Sequence, residues 1–251
     1  MKNTDSKSGI NDLISAAVAL RKSIGELTLH SPVSLTYNPL EYAWEPFKQY
    51  LELYGGGSKR VLFFGMNPGP WGMGQTGIPF GEITRVTRWL GITGKVSEPR
   101  TIHPRRPITG FHTTRSEVSG RRLWDLFSQR FATASRFFDH HFVANYCPLM
   151  FFDKEGRNLT PDRLCVKDRK SLFPVCDAHM IRLVEILKPQ WVVGIGKFAT
   201  HRAEVTLKNT VVKVTGVLHP SPASPAANRD WQGQVSRSLE DKGIWSGGTG
   251  E

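Results

Sequence analysis

Four short apolar runs separated by helix-like stretches constrain this chain more than any other feature. They are Val61–Gly65 (VLFFG), Phe142–Asn145 (FVAN), Trp191–Ile195 (WVVGI) and Val211–Leu218 (VVKVTGVL). Apolar runs of this length mark strands buried on both faces. Ile83–Leu90, Arg122–Phe138, Lys170–Leu187 and Phe198–Leu207 carry helical patterning. Strands alternating with helices predict an α/β fold: a three-layer α/β/α sandwich around a central, mostly parallel four-stranded sheet. Leu13, Ile14, Ala17, Leu20 and Ile24 add an amphipathic helix over about Ile10–Leu27. Pro39–Tyr54 reads as a second helix despite Pro46, and Asn228–Lys242 as the last. The 251 residues fit a single domain over 1–245 with a flexible tail over 246–251; the segment WSGGTGE, from Trp245 on, has the composition of such a tail.

In sheets of this kind, ligands bind beyond the carboxyl ends of the strands. MNPGPWGMGQTGIPFGE follows the first run, YCPLMF the second and HPSPASPAANRDW the fourth. These three loops should converge at one sheet edge. The net charge of +11, from 33 basic and 22 acidic residues, favours a polyanionic partner. No apolar stretch is long enough to span a bilayer, and the N-terminal segment lacks the pattern of a secretory signal. The expectation is a monomer in the cytoplasm without a membrane partner, or wherever the cell keeps its DNA: the nucleoid in a bacterium, the nucleus in a eukaryote. Cys147, Cys165 and Cys176 are odd in number and form no CxxC. They read as reduced thiols, with neither a disulfide framework nor a metal site.

Some motifs are set aside. Gly72–Gly77 (GMGQTG) matches a dinucleotide fingerprint, but NPGPW separates it from the strand and Ile78-Pro79 follows. Gly194-Ile195-Gly196-Lys197 resembles the end of a phosphate loop, but Phe198 replaces the required Ser or Thr. Asp139-His140-His141 has no matching ligand cluster and reads as surface or packing.

Three strand-end residues carry candidate chemistry. Asn67 sits in GMNPGP, where prolines stiffen the backbone and glycines allow a ligand close approach; a tight strand-exit turn explains the same pattern. Asn145 opens NYCP. Its carboxamide offers an acceptor beside a donor, which matches uracil's N3–H and O4 and opposes cytosine; a strand-end cap is the alternative. His219 stands at the base of HPSPASP, a proline-stiffened loop. It can stabilise charge on a leaving base, or mark a surface turn.

Together, GMNPGPWGMGQTGIPFGE, FVANYCPLMF, GRNLTP and HPSPASPAANRDW resemble the single-strand-selective monofunctional uracil-DNA glycosylases, over about Tyr37–Trp245. The resemblance implies hydrolysis of the N-glycosidic bond of uracil, and of 5-substituted uracils, in single- and double-stranded DNA, with no cofactor. It implies that Asn67 positions the attacking water, that His219 hydrogen-bonds the departing base, that Phe80 stacks on the flipped base, and that Asn145 reads its edge. Met66, Gly69 and Met73 would line the pocket. Pro220, Ser221, Pro222, Ala223 and Ser224 would fill the gap left by the flipped nucleotide. Some relatives carry a larger basic residue where this chain has Ala223, so the plug here is smaller. Iron–sulfur relatives need four cysteines and this chain has three.

Basic residues of the Arg100–Arg122 loop, with Lys154, Arg157 and Arg163, are the expected phosphate contacts. Xanthine repeats uracil's imide edge and is expected as a weaker substrate. The competing readings are a nucleotide-binding enzyme and a non-catalytic DNA-binding module.

Overall fold

The computed structural model describes residues 2–247. In chain order it forms α1 (Lys2–Gly25), β1 (Leu35–Tyr37), α2 (Pro39–Tyr42), α3 (Trp44–Tyr54), β2 (Val61–Gly65), α4 (Met73–Thr76), α5 (Ile83–Arg88), α6 (Val118–Phe131) and α7 (Ala134–His140). There follow β3 (His141–Asn145), β4 (Met150–Phe152), β5 (Asn158–Leu159), α8 (Val166–Leu187), β6 (Trp191–Ile195), α9 (Lys197–Thr206), β7 (Lys213–Val217) and α10 (Pro225–Glu240).

The main sheet has the order β3-β2-β6-β7, and every pairing in it is parallel. Central β2 is buried at all five positions, as expected of a strand covered on both faces. Successive side chains point to opposite faces. Phe63 packs on Phe127 and Phe137 of α6 and α7, while α1, α8 and α9 form another helical group. Helix α9 lies close on β6 and β7 because Gly194 and Gly216 are register partners without side chains. A Cβ on either would come within 2.3 Å of Thr200. The apparent phosphate-loop remnant is therefore a packing device.

Several boundaries differ from expectation. Pro39–Tyr54 divides at Ala43 rather than at Pro46, which sits in the first turn of α3, where backbone N–H groups have no intrahelical partner. Arg122–Phe138 divides at Ala132, whose φ is 57°, and Thr133 caps α7. A second, antiparallel sheet, β1-β4-β5, was not foreseen. The fourth run shortens to Lys213–Val217, and Val211 is fully exposed.

The tail also needs correction. Trp245 is buried; its Nε1 donates to His141 Nε2 at 3.1 Å, and the Arg130 guanidinium lies 4.5 Å from its ring. Arg130 also donates to the Ser246 carbonyl. The chain is thus anchored as far as Ser246, and the part of the expected tail over 248–251 lies outside the described residues. His141 is a core histidine, with Nδ1 bonded to the Phe137 carbonyl.

Candidate active site

The three loops after β2, β3 and β7 meet in one open cavity of about 390 Å³. Met66, Asn67 and Gly69 come from the first, Asn145 from the second and His219 from the third, with Phe80 beside them. The β2–β3 ladder continues past the strands, through Tyr146 N to Gly65 O and Cys147 N to Met66 O, both 2.9 Å. It fixes the two Asn-bearing loops side by side.

Asn67 donates through Nδ2 to the Leu149 carbonyl at 3.1 Å. That bond commits the donor end of the amide and leaves Oδ1 available to a ligand. Asn145 is buried, and its Nδ2 donates to Met73 Sδ at 3.2 Å. A thioether is a weak acceptor. Asn145 Oδ1 is buried without a hydrogen-bond partner, an arrangement that costs free energy unless a ligand completes it.

Phe80 adopts φ 53°, strained for a residue with a side chain. Its carbonyl holds that geometry by accepting from Trp124 Nε1 (3.0 Å) and Glu82 N (2.7 Å). The Phe80 and His219 rings are 6.3 Å apart and tilted by 42°. Burial lowers the His219 pKa below the usual histidine range, so the imidazole is neutral at physiological pH.

The HPSPASP loop is tied down from α6. Arg122 donates to the carbonyls of Pro220 and Ser221, both at 3.3 Å, and to Asn228 Oδ1 at 2.8 Å. Asn228 Nδ2 in turn donates to the Pro222 carbonyl. Ser221 lines the cleft, Pro220 is buried, and Pro222 and Ala223 are exposed. Ser224, expected at the DNA, is the N-cap of α10, accepting from Ala227 N. Met73, expected in the pocket wall, instead backs Asn145 from a separate apolar cavity shared with Tyr50 and His179.

Much of the expected phosphate-binding loop is engaged in structure. Arg106 donates to the Gly156 carbonyl and Arg105 to that of Glu155. Arg115 lies 4.4 Å over the Trp71 ring, and Arg157 pairs with Asp153 and Glu155. Gln75, inside the rejected fingerprint, clamps two loops by donating to Pro70 and Pro107 carbonyls and accepting from Thr109 and Gly110.

Sequence reasoning assigned no role to Glu117, Ser119, Asn158 or Thr160, which also line the cleft. Asn158 and Thr160 stand in GRNLTP, a block that carried the resemblance. Glu117 had no signal beyond being an acid in a basic segment.

Among the described residues, one group of three donors has metal-like spacing: His30, Cys165 and Asp168, with donor atoms within 4.8 Å of one another. It lies at the N-terminus of α8, away from the cleft. Its donors are spent on each other, with His30 Nδ1 2.6 Å from Asp168 Oδ1, and Lys167 Nζ is 3.1 Å from His30 Nε2. An adjacent ammonium and a helix N-terminus both disfavour a cation. Among the described residues, no helix is long and apolar enough to cross a membrane.

Residues 53–240 match the Uracil DNA glycosylase superfamily. The chain is 46% identical over 227 residues to the single-strand selective monofunctional uracil-DNA glycosylase of Rattus norvegicus, covering 90% of this chain and 82% of that protein. It is 45% identical, over 90% of its length, to the proteins of the same description from Mus musculus and Bos taurus, covering 81% and 84% of them. In fold it is similar to the crystal structure of Pedobacter heparinus SMUG2, with TM-score 0.66 at 18% identity, covering 91% of this chain and 97% of that one.

Proposed function

From a chain that belongs to the uracil-DNA glycosylase superfamily, on its single-strand-selective monofunctional branch, we propose a DNA glycosylase that hydrolyses the N-glycosidic bond of uracil and leaves an abasic site. The observation that carries this reading is the Asn145 carboxamide, whose buried Oδ1 lacks a partner and whose Nδ2 is held only by a sulfur. Uracil's N3–H satisfies the first atom and its O4 replaces the sulfur at the second. Cytosine presents the reverse pattern and would leave both atoms frustrated.

A base inside a duplex is out of reach, so it must enter extrahelically. Phe80 offers a ring face for stacking. As the C1′–N1 bond breaks, positive charge grows on the sugar and negative charge on the base. Neutral His219 serves as a donor to that anion, an interaction worth more in the transition state than in the ground state. Asn67 Oδ1 orients the water. No lysine is needed as a nucleophile, so the DNA strand is left uncut.

The same imide edge extends the reading to 5-substituted uracils, and to xanthine at lower rate. Single strands are the preferred substrate, with duplex DNA limited by the small plug at Ala223.

The test uses a labelled oligonucleotide carrying one uracil, single-stranded or paired with guanine or adenine, incubated with the protein in EDTA and then treated with hot alkali. Alkali-dependent cleavage at the uracil is the expected result. Binding without base release on every substrate would leave a non-catalytic DNA-binding module.

A further inference from the structure

Glu117 stands at the N-cap position of α6, where a side chain usually accepts from the helix's free N–H groups, and it makes no such bond. Its carboxyl turns instead into a hollow lined by glycines. A Cβ on Gly69 would lie 1.7 Å from Oε1, and one on Gly72 would lie 1.9 Å from Oε2. No other residue type fits at either position without displacing the carboxyl. Oε2 is buried with no hydrogen-bond partner, and the residue lines the same cleft as Asn67, Asn145 and His219.

The charged groups around it leave it unpaired. Glu82 is its nearest like charge, and the Glu82 carboxyl is itself satisfied by Arg85 N and Ser116 Oγ. Arg115 lies over Trp71, Arg122 is spent on the HPSPASP loop, and His219 is neutral. Glu117 enters no ion pair among the described residues. A costly, unsatisfied carboxyl beside the reacting groups calls for an explanation that packing does not supply.

We propose that Glu117 is the base that accepts the proton of the attacking water, a step that Asn67, an amide, orients but cannot perform. The inference rests on the glycosylase reading above. The water oxygen bonds to C1′ while the C1′–N1 bond breaks, and its electron pair leaves on the uracil anion. The water's proton passes to Oε1 of Glu117 and then to solvent. Burial, reinforced by Glu82, pushes the Glu117 carboxyl up to about 7, where a base acts well at neutral pH.

The test is single-turnover excision of uracil from a single-stranded oligonucleotide across pH 5–9, with wild type, Glu117→Gln and Glu117→Asp. The wild-type rate should rise with pH through a midpoint near 7. Glu117→Gln should lower the plateau by about 10²-fold or more and abolish that rise, while binding to abasic DNA stays unchanged. Glu117→Asp should keep the rise at a reduced plateau. A near-wild-type rate with an unaltered profile in Glu117→Gln overturns the proposal and makes Glu117 a structural acid. Should Glu117→Gln not fold, an Asp variant without the pH rise overturns it equally. A wild type that releases no uracil would instead sink the glycosylase reading.

Discussion

Gly65 and Asn145 are register partners on β2 and β3, and a Cβ on Gly65 would lie 2.3 Å from Asn145 Oδ1 and 2.6 Å from the edge of the Phe80 ring. The absent side chain is what lets the base-reading amide and the stacking ring occupy one corner of the cleft. Gly65→Ala must displace one or both. The added methyl should cost about 1–3 kcal/mol of stability, as overpacking does. The larger effect should be on excision, with the single-turnover rate down by at least 10²-fold, because a small misplacement of positioning groups is that costly. Thermal melting and single-turnover kinetics on one preparation separate the two.

Asn67→Ala isolates the chemical step. Its amide touches the Leu149 carbonyl and otherwise faces the cleft. The variant should lose orders of magnitude in single-turnover rate while its affinity for uracil-containing DNA stays near normal. Equal losses in affinity and rate would point to a binding role and remove the water-orienting one.

Arg122 reaches the loop that is to fill the gap left by a flipped base, through the Pro220 and Ser221 carbonyls and Asn228. Arg122→Ala frees that loop without touching the cleft's reacting groups. Excision from duplex DNA should fall about 10-fold, since opening a stack costs a few kcal/mol that a stiff wedge helps to supply. Single-stranded substrate should be affected little. Parallel rate measurements on the two substrates test this, and equal losses on both would assign Arg122 to general folding or phosphate binding.

How legible all this was follows from where each constraint resides. β2, β3 and β6 are buried on nearly every side chain, so each stands out as an apolar run. β1, β4 and β5 span three, three and two residues, too short to carry a period, and their pairing is non-local. The break at Ala132 depends on a positive φ in a residue type that does not advertise one. Trp245 looked like tail because GGTGE follows it; only the fold brings it against His141. The convergence of Asn67, Asn145 and His219 was readable because strand ends share one edge. Glu117 was not, because its meaning comes from Gly69 and Gly72, far away in the chain. For the basic loop, composition announces charge, but the hydrogen bonds of Arg105, Arg106 and Arg122 to carbonyls come only from the fold.

His179 and Glu117 push the pH dependence of stability in opposite directions. His179, on α8 and facing α1, has its pKa lowered to about 4 by burial. Between that value and the usual histidine value the unfolded chain binds the extra proton, so stability should rise with pH. Glu117 is raised to about 7. Between the usual carboxylate value and 7 the folded chain binds the extra proton, so stability should fall as pH rises. Each effect amounts to about 3 kcal/mol at full extent, at about 1.4 kcal/mol per pH unit. The two oppose each other over about pH 4.5–6.5, and His219, lowered by burial in the same sense as His179, adds to the rise. Denaturant melts of His179→Leu should show stability that rises less with pH there than in the wild type, and melts of Glu117→Gln should show stability that rises more. Profiles unchanged from the wild type in both would mean that neither group is shifted.

His219→Ala tests where the leaving base is stabilised. The imidazole is neutral, packs over Gly196 and stands across the cleft from Phe80. Its removal takes away a donor that matters when charge builds on the base and little before. The single-turnover rate should therefore drop by about 10²–10³-fold, the cost of one lost donor of this kind, about 2.7–4 kcal/mol. Affinity for uracil-containing DNA should change by less than about 3-fold, because ground-state uracil carries no full negative charge for the imidazole to meet. The penalty should also shrink with leaving-group acidity: a 5-fluorouracil base, whose anion is more stable, needs the donor less. Comparing uracil and 5-fluorouracil oligonucleotides in wild type and His219→Ala gives a ratio of ratios that isolates leaving-group stabilisation from loss of packing. The same fold-loss on both bases would mean that His219 holds the cleft in shape and leaves the departing anion to other donors.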